Sequence, residues 1–223
     1  MRVKVIGRID RPFIPHNSGY YIYSYINKLI ARVDPSLPFY LHTPQIPRIH
    51  SNSLLLSNPK EILPEGIETL STESYFYISS ISKKLIDLVL KNIDNTFRIG
   101  SVEFLVDDIK IEKTKIDNND NYIITTITPI VIKNKGEFLY FNEKFKEILD
   151  AYMKMVRDIY GGEYEEIKII NSNFTNAYIK KMKVPAYYMT IKIKANKKFV
   201  KNLVDIGVGH KQSFGYGTIK IVQ

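Results

Sequence analysis

Apolar and charged residues alternate at the start of the chain. Val3 and Val5 share one face with Arg2 and Lys4 opposite, which predicts a strand over 2–9. Pro12 and Pro15 then interrupt, and Asn17 or Ser18 is placed to cap a helix to about Arg32, with Tyr21, Tyr25, Leu29 and Ile30 among its apolar positions. Asp34-Pro35 ends that helix; a short turn or helix to His42 and a loop punctuated by Pro44 and Pro47 follow. Residues 53–56 and 72–78 read as strands. Ile81, Leu85, Leu88, Val89 and Ile93 fall at helical spacing, and 96–111 reads as one long strand. The first half is therefore β-α-β-β-α-β.

A polar, turn-rich stretch at 113–121 marks the predicted domain boundary. Beyond it, strands over 122–133 and 137–141 flank a turn at Asn134-Lys135-Gly136. Phe145, Leu149, Tyr152, Met153, Val156 and Ile159 mark a helix stopped by Gly161-Gly162. Strands at 164–170 and 187–195, a helix over 197–205 and a strand over 218–222 complete the order, which repeats that of the first half when the opening hairpin counts as one element. The expectation is an α+β chain of two tandem ferredoxin-like (RRM-like) domains with antiparallel sheets, residues 1–115 and 121–223. No stretch matches the RNP aromatic signature, so the usual sheet-face reading of RNA is not supported.

Composition narrows the partner. The 223 residues include 32 Lys and Arg against 23 Asp and Glu, a formal net charge of +9, and 44% are hydrophobic. That is ample for a packed core and basic enough to favour a polyanion: nucleic acid first, an anionic membrane surface as the rival. No apolar run approaches the ~20 residues of a membrane span, and the N-terminus reads as a strand and not a signal peptide. There is no cysteine, which excludes disulfides, thiolate metal sites and cysteine nucleophiles. The four histidines show no metal-ligand spacing and no acidic cluster accompanies them, so neither a metal nor another cofactor is expected. The expected location is the cytoplasm.

The end of the chain carries the most specific pattern. Gly207-Val208-Gly209 and Gly215-Tyr216-Gly217 flank an insert containing His210, Lys211, Gln212 and Ser213. Paired Gly-x-Gly steps imply positive φ or a close backbone approach, and exposed amide N–H groups there would suit a phosphodiester. A helix-stop glycine followed by an elaborate turn is the plainer alternative. On 187–195, Met189, Ile191 and Ile193 share one face and Thr190, Lys192 and Lys194 the other. With Lys180, Lys181 and Lys183 before and Lys197, Lys198 and Lys201 after, this reads as an RNA track or as a solvated lysine face.

Pro15-His16-Asn17-Ser18-Gly19-Tyr20-Tyr21, the tripeptide Tyr40-Leu41-His42 and the Gly207–Gly217 segment occur together in one known combination. On these residues the chain resembles the CRISPR repeat-processing endoribonucleases of the repeat-associated mysterious protein superfamily. The resemblance implies metal-independent cleavage of a precursor CRISPR RNA within each repeat, by attack of the 2′-hydroxyl on the adjacent phosphorus, leaving a 2′,3′-cyclic phosphate and a 5′-hydroxyl. It places His42 as general acid, Arg48 where relatives carry a lysine or another cation, and Asn27 where some carry a tyrosine. Arginine can hold a phosphate bidentately but exchanges no proton; Asn27 can orient a hydroxyl but is no base, leaving Tyr23 or Tyr40 as stand-ins. His50 competes with His42, whereas His16 reads as structural. RNA binding is assigned to Lys192, Lys194, Gly207, Gly209, His210, Lys211, Gly215 and Gly217. Repeat RNA is the expected partner. A homodimer, proteins of an effector complex, and a role holding RNA without cutting it are left open. An enzyme for a small acidic metabolite is the weakest alternative, since no compact anion pocket is legible.

Overall fold

The computed structural model describes residues 1–38, 49–118, 120–179 and 182–222. The chain forms two compact units, Met1–Lys113 with Ser213–Gly215, and Thr114–Gln212 with Tyr216–Gln223. Among the described residues no helix is long and apolar enough to cross a membrane.

In the first unit β1 (Arg2–Ile9), β2 (Phe13–Pro15) and α1 (Ser18–Val33) are followed by β3 (His50–Asn52), β4 (Pro59–Ile62) and β5 (Gly66–Thr69). Then come β6 (Glu73–Ser80), α2 (Lys83–Asn92), β7 (Thr96–Ile99) and β8 (Val102–Glu112). The main sheet has the order β3-β6-β1-β8-β7, every pairing antiparallel. Without β7 this is the ferredoxin order, the opening strand lying between the third and fourth. The core forms where Ile22, Ile26, Leu29 and Ile30 of α1 and Leu85, Ile86 and Val89 of α2 meet Val3, Val5, Phe76, Ile78 and Phe104. Burial of each such side chain contributes about 1.5–3 kcal/mol before entropy is counted.

The second unit runs β9 (Asn121–Thr126), β10 (Lys133–Asn134), β11 (Glu137–Phe138), α3 (Glu143–Tyr160), β12 (Tyr164–Ile179), β13 (Met182–Ala195), α4 (Lys197–Ile206) and β14 (Ile219–Ile221). Its sheet order, β12-β13-β9-β14, repeats the ferredoxin pattern. Asn142 and Asn196 cap the two helices, their side chains accepting from Phe145 N–H at 2.9 Å and Phe199 N–H at 3.1 Å.

Several sequence expectations are corrected. The strand expected over 96–111 is a hairpin, because Gly100 turns at φ +63°. The strand expected at 53–56 lies instead at β3, and Leu56 contributes one bridge to Tyr75. The strand expected over 122–133 stops at Thr126, and Ile130 and Val131 keep single bridges to Tyr187 and His210. β12 and β13 outrun their expected limits because the Asn-rich stretch after Ile170 stays in the ladder. A three-stranded sheet, β2-β5-β4, was not foreseen. Asn17 occupies the cap position of α1 without a side-chain cap bond, while Ser18 Oγ accepts from Leu55 N–H at 3.1 Å.

Candidate nucleic-acid interface

The glycine segment has the backbone the sequence demands but not the expected exposure. Gly207, Gly209, Gly215 and Gly217 have φ of +83°, +87°, +90° and +75°. All four are buried. Gly207 stops α4, donating its N–H to Leu203 O. Val208 N–H then donates to Gly217 O at 2.8 Å, Gly217 N–H to Pro129 O at 2.9 Å and His210 N–H to Val131 O at 2.8 Å. Gln212 Nε2 donates to Tyr152 Oη at 2.9 Å and to Gly209 O, and Tyr152 Oη donates to Gly207 O at 3.0 Å. Amides expected to meet a phosphodiester are thus spent inside the fold. The glycines serve close packing, and of the segment's predicted RNA-binding residues His210 and Lys211 are the partly exposed ones.

Two separated pieces of the resemblance meet in the first unit. A Cβ at Gly19 would stand 2.1 Å from Phe214 O, and one at Gly215 2.6 Å from Leu54 N. Tyr20 stacks on Phe214 with centroids 5.2 Å apart. The glycine at the start of α1 is therefore there to let the Phe214–Gly215 backbone lie against the helix.

Tyr40, His42 and Arg48 lie outside the described residues. Asn27 sits half-buried on α1, and its Oδ1 is buried with no hydrogen-bond partner among the described residues. An acceptor left so costs about 1–3 kcal/mol and calls for an explanation. Two alternatives weighed from sequence are corrected: Tyr23, a stand-in for Asn27, and His50, the competitor of His42, are both buried, stacked on each other with centroids 5.4 Å apart and planes 6° apart. Neither reaches a solvent-borne phosphate in this arrangement. His16 bonds Leu63 O through Nε2 at 2.8 Å, and burial lowers its pKa from the usual histidine value.

On β13 the alternation holds: Met189, Ile191 and Ile193 are buried while Lys192 is exposed. Lys194 is engaged elsewhere, its Nζ 2.6 Å from Glu165. Two further lysines share this outer face. Lys168 of β12 lies directly opposite Lys192, and Lys220 of β14 lies across from Thr125, which also pairs with Thr190. Like charges paired across strands repel by a few tenths to about 1 kcal/mol, a penalty an anion relieves. The alternation Ile167-Lys168-Ile169 in the sequence could have found the first of these, but not its register.

Family models for CRISPR-associated protein Cas6 match both halves, the N-terminal model over residues 13–110 and the C-terminal model over 110–221. The chain belongs to the Cas6 family. A Methanocaldococcus jannaschii protein named CRISPR-associated endoribonuclease Cas6 1 is 30% identical over 100% of this chain and 93% of its own. A Pyrococcus furiosus Cas6 protein described as endoribonuclease-like is 28% identical, covering 100% of this chain and 98% of its own. A solved structure described as the characterisation of a Cas6-related gene from Pyrococcus furiosus superposes with a TM-score of 0.83 at 28% identity, over 100% of this chain and 98% of that one. Two ferredoxin-like units are thus the fold of this Cas6 chain.

His210 of this Cas6 chain accepts from Lys133 N–H through Nδ1 at 3.4 Å. Burial, with Lys211 and Lys133 adding repulsion, lowers its pKa from 6.5. The unfolded chain therefore binds this proton more readily than the folded one. The contribution of His210 to stability is complete above about pH 6.5 and is lost as pH falls through the lower folded value. His210→Asn should flatten the dependence of melting temperature on pH between about 5 and 7 relative to the parent; identical profiles would remove His210 as the source.

Proposed function

We propose that this chain binds CRISPR repeat RNA and cleaves the precursor transcript within each repeat without a metal ion. The ribose 2′-hydroxyl passes its proton to solvent water as the P–O2′ bond forms. The P–O5′ bond then breaks, and the departing 5′-oxygen takes up a proton. His42 acts as general acid and Arg48 stabilises charge on the phosphorane. Asn27 is assigned to orient the attacking hydroxyl through its side-chain amide. The observation that carries the reading is the full-length match to the Cas6 family, including a relative named as an endoribonuclease. The lysine face of the second unit supports it.

The test is product analysis on labelled repeat RNA in EDTA. Cleavage should persist with the chelator, stop with a 2′-deoxy nucleotide at the scissile position, and leave a cyclic phosphate. Lys168→Glu with Lys192→Glu should weaken binding and flatten its dependence on salt, since every phosphate no longer neutralised lowers the slope by ~0.7 on single strands. One observation favours a second reading, a protein that holds repeat RNA uncut: Asn27 has no proton to exchange near neutral pH. Tight binding with intact RNA would establish that reading instead.

A further inference from the structure

The second unit carries two exposed aromatic rings that neither its core nor its lysine face uses. Tyr140, just ahead of α3, is 65% exposed, and Phe174, on β12, is 55% exposed. Their centroids lie 6.3 Å apart with planes within 17°. Tyr187, itself buried, holds both in place. It pairs with Phe174 across the ladder, its ring meets Phe174 edge-on at 5.6 Å, and its hydroxyl accepts from Phe141 N–H at 2.8 Å, next to Tyr140. The pair is therefore a platform built before any ligand arrives.

Its surroundings indicate what that ligand is. Lys146 lies over the Phe141 ring at 5.6 Å and Lys133 over the Phe138 ring at 5.5 Å, while Lys133 also donates to His210. Lys146 thus lies against the residue that follows Tyr140. Beside it, between β12 and α3, opens a cavity of about 730 Å³ whose lining includes Phe141, Asn171, Lys146, Lys168, Glu147 and Asp150. Cations offset these carboxylates, Glu147 lying 2.7 Å from Lys144 and Asp150 2.8 Å from Lys154, and the Asn171 amide suits the polar edge of a base. A flat ring with polar edges fits beside the aromatic pair.

We propose that Tyr140 and Phe174 form a stacking site for one unpaired base of the bound RNA, apart from the residues assigned to cleavage. The site rests on the RNA-binding reading above and adds the contact through which this chain senses an unstacked base. Stacking on an aromatic side chain contributes about 1–3 kcal/mol per base and makes no phosphate contact.

Affinity of the full chain for single-stranded repeat RNA should be measured across a salt series. Phe174→Ala and Phe174→Leu should each weaken binding about 5- to 150-fold, and Phe174→Trp should hold it near the parent value. The salt slope should not change, unlike that of Lys168→Glu. Leucine keeps apolar bulk without a π-face, so its weaker binding separates stacking from packing. Repeat RNA carrying 2-aminopurine at successive positions should show one position quenched by the parent and not by Phe174→Ala. A Phe174→Leu variant that binds like the parent overturns the proposal and assigns the rings to a protein partner. A parent that binds no repeat RNA overturns the functional reading, and the stacking site with it.

Discussion

His42→Ala should lower the single-turnover rate of repeat cleavage by at least about a hundredfold while leaving RNA affinity within severalfold. The departing 5′-oxygen is a poor leaving group until it takes a proton, and an imidazole is the side chain that can supply one near neutral pH. Alanine removes the donor without touching the lysine face on β12, β13 and β14, so the change should fall on the chemical step. His50→Ala serves as the internal control. His50 is buried against Tyr23, so removing its ring should lower stability through poorer packing, and its effect on rate should track the unfolded fraction. Full activity in His42→Ala would refute the assignment of the general acid and place the proton donor on another group, with cleavage itself intact.

The second large effect is structural. A Cβ at Gly217 would stand 1.9 Å from Val208 O, at a φ of +75°. Gly217→Ala therefore meets two penalties: left-handed strain of about 1–2 kcal/mol, and overlap with backbone whose displacement costs about 1–3 kcal/mol more. It also disturbs the bond from Val208 N–H to Gly217 O, and with it the Gln212 and Tyr152 hydrogen bonds that hold the turn. Gly136 isolates the first penalty, since its φ is +99° and nothing lies within 4 Å of a Cβ there. Urea unfolding should show Gly217→Ala destabilised by about 2–5 kcal/mol and Gly136→Ala by about 1–2 kcal/mol. Equal destabilisation would mean that the glycine is retained for its torsion alone.

Much of the architecture could be read along the chain because helix and strand periodicities are local. The 2–9 strand, the helices at α1, α2, α3 and α4, and the Gly161 and Gly207 stops all follow from side chains within one or two turns of each other. Errors arose where a distant neighbour decides. Gly100 turns a continuous β-rich run into a hairpin, and its Cβ position faces Tyr21 and Pro15. Asn171, Asn173 and Asn176 look like a loop, but β13 pairs with them residue by residue. Of the proposed site, His210 and Lys211 are partly exposed and Lys192 is exposed as expected. The four glycines are buried, and Lys194 is engaged by Glu165.

By itself the amino-acid sequence determined the basic character of the protein, its two βαββαβ repeats and the torsions its glycines must adopt, since charge, periodicity and the missing Cβ belong to each residue wherever it lies. Tertiary structure alone decided which groups face outward. It set Lys168 across from Lys192, folded the Gly217 and His210 amides onto Pro129 and Val131, and stood Tyr140 beside Phe174. Those outcomes depend on strand register and on segments tens of residues apart, and exposure is a property of the packed neighbours, not of the residue.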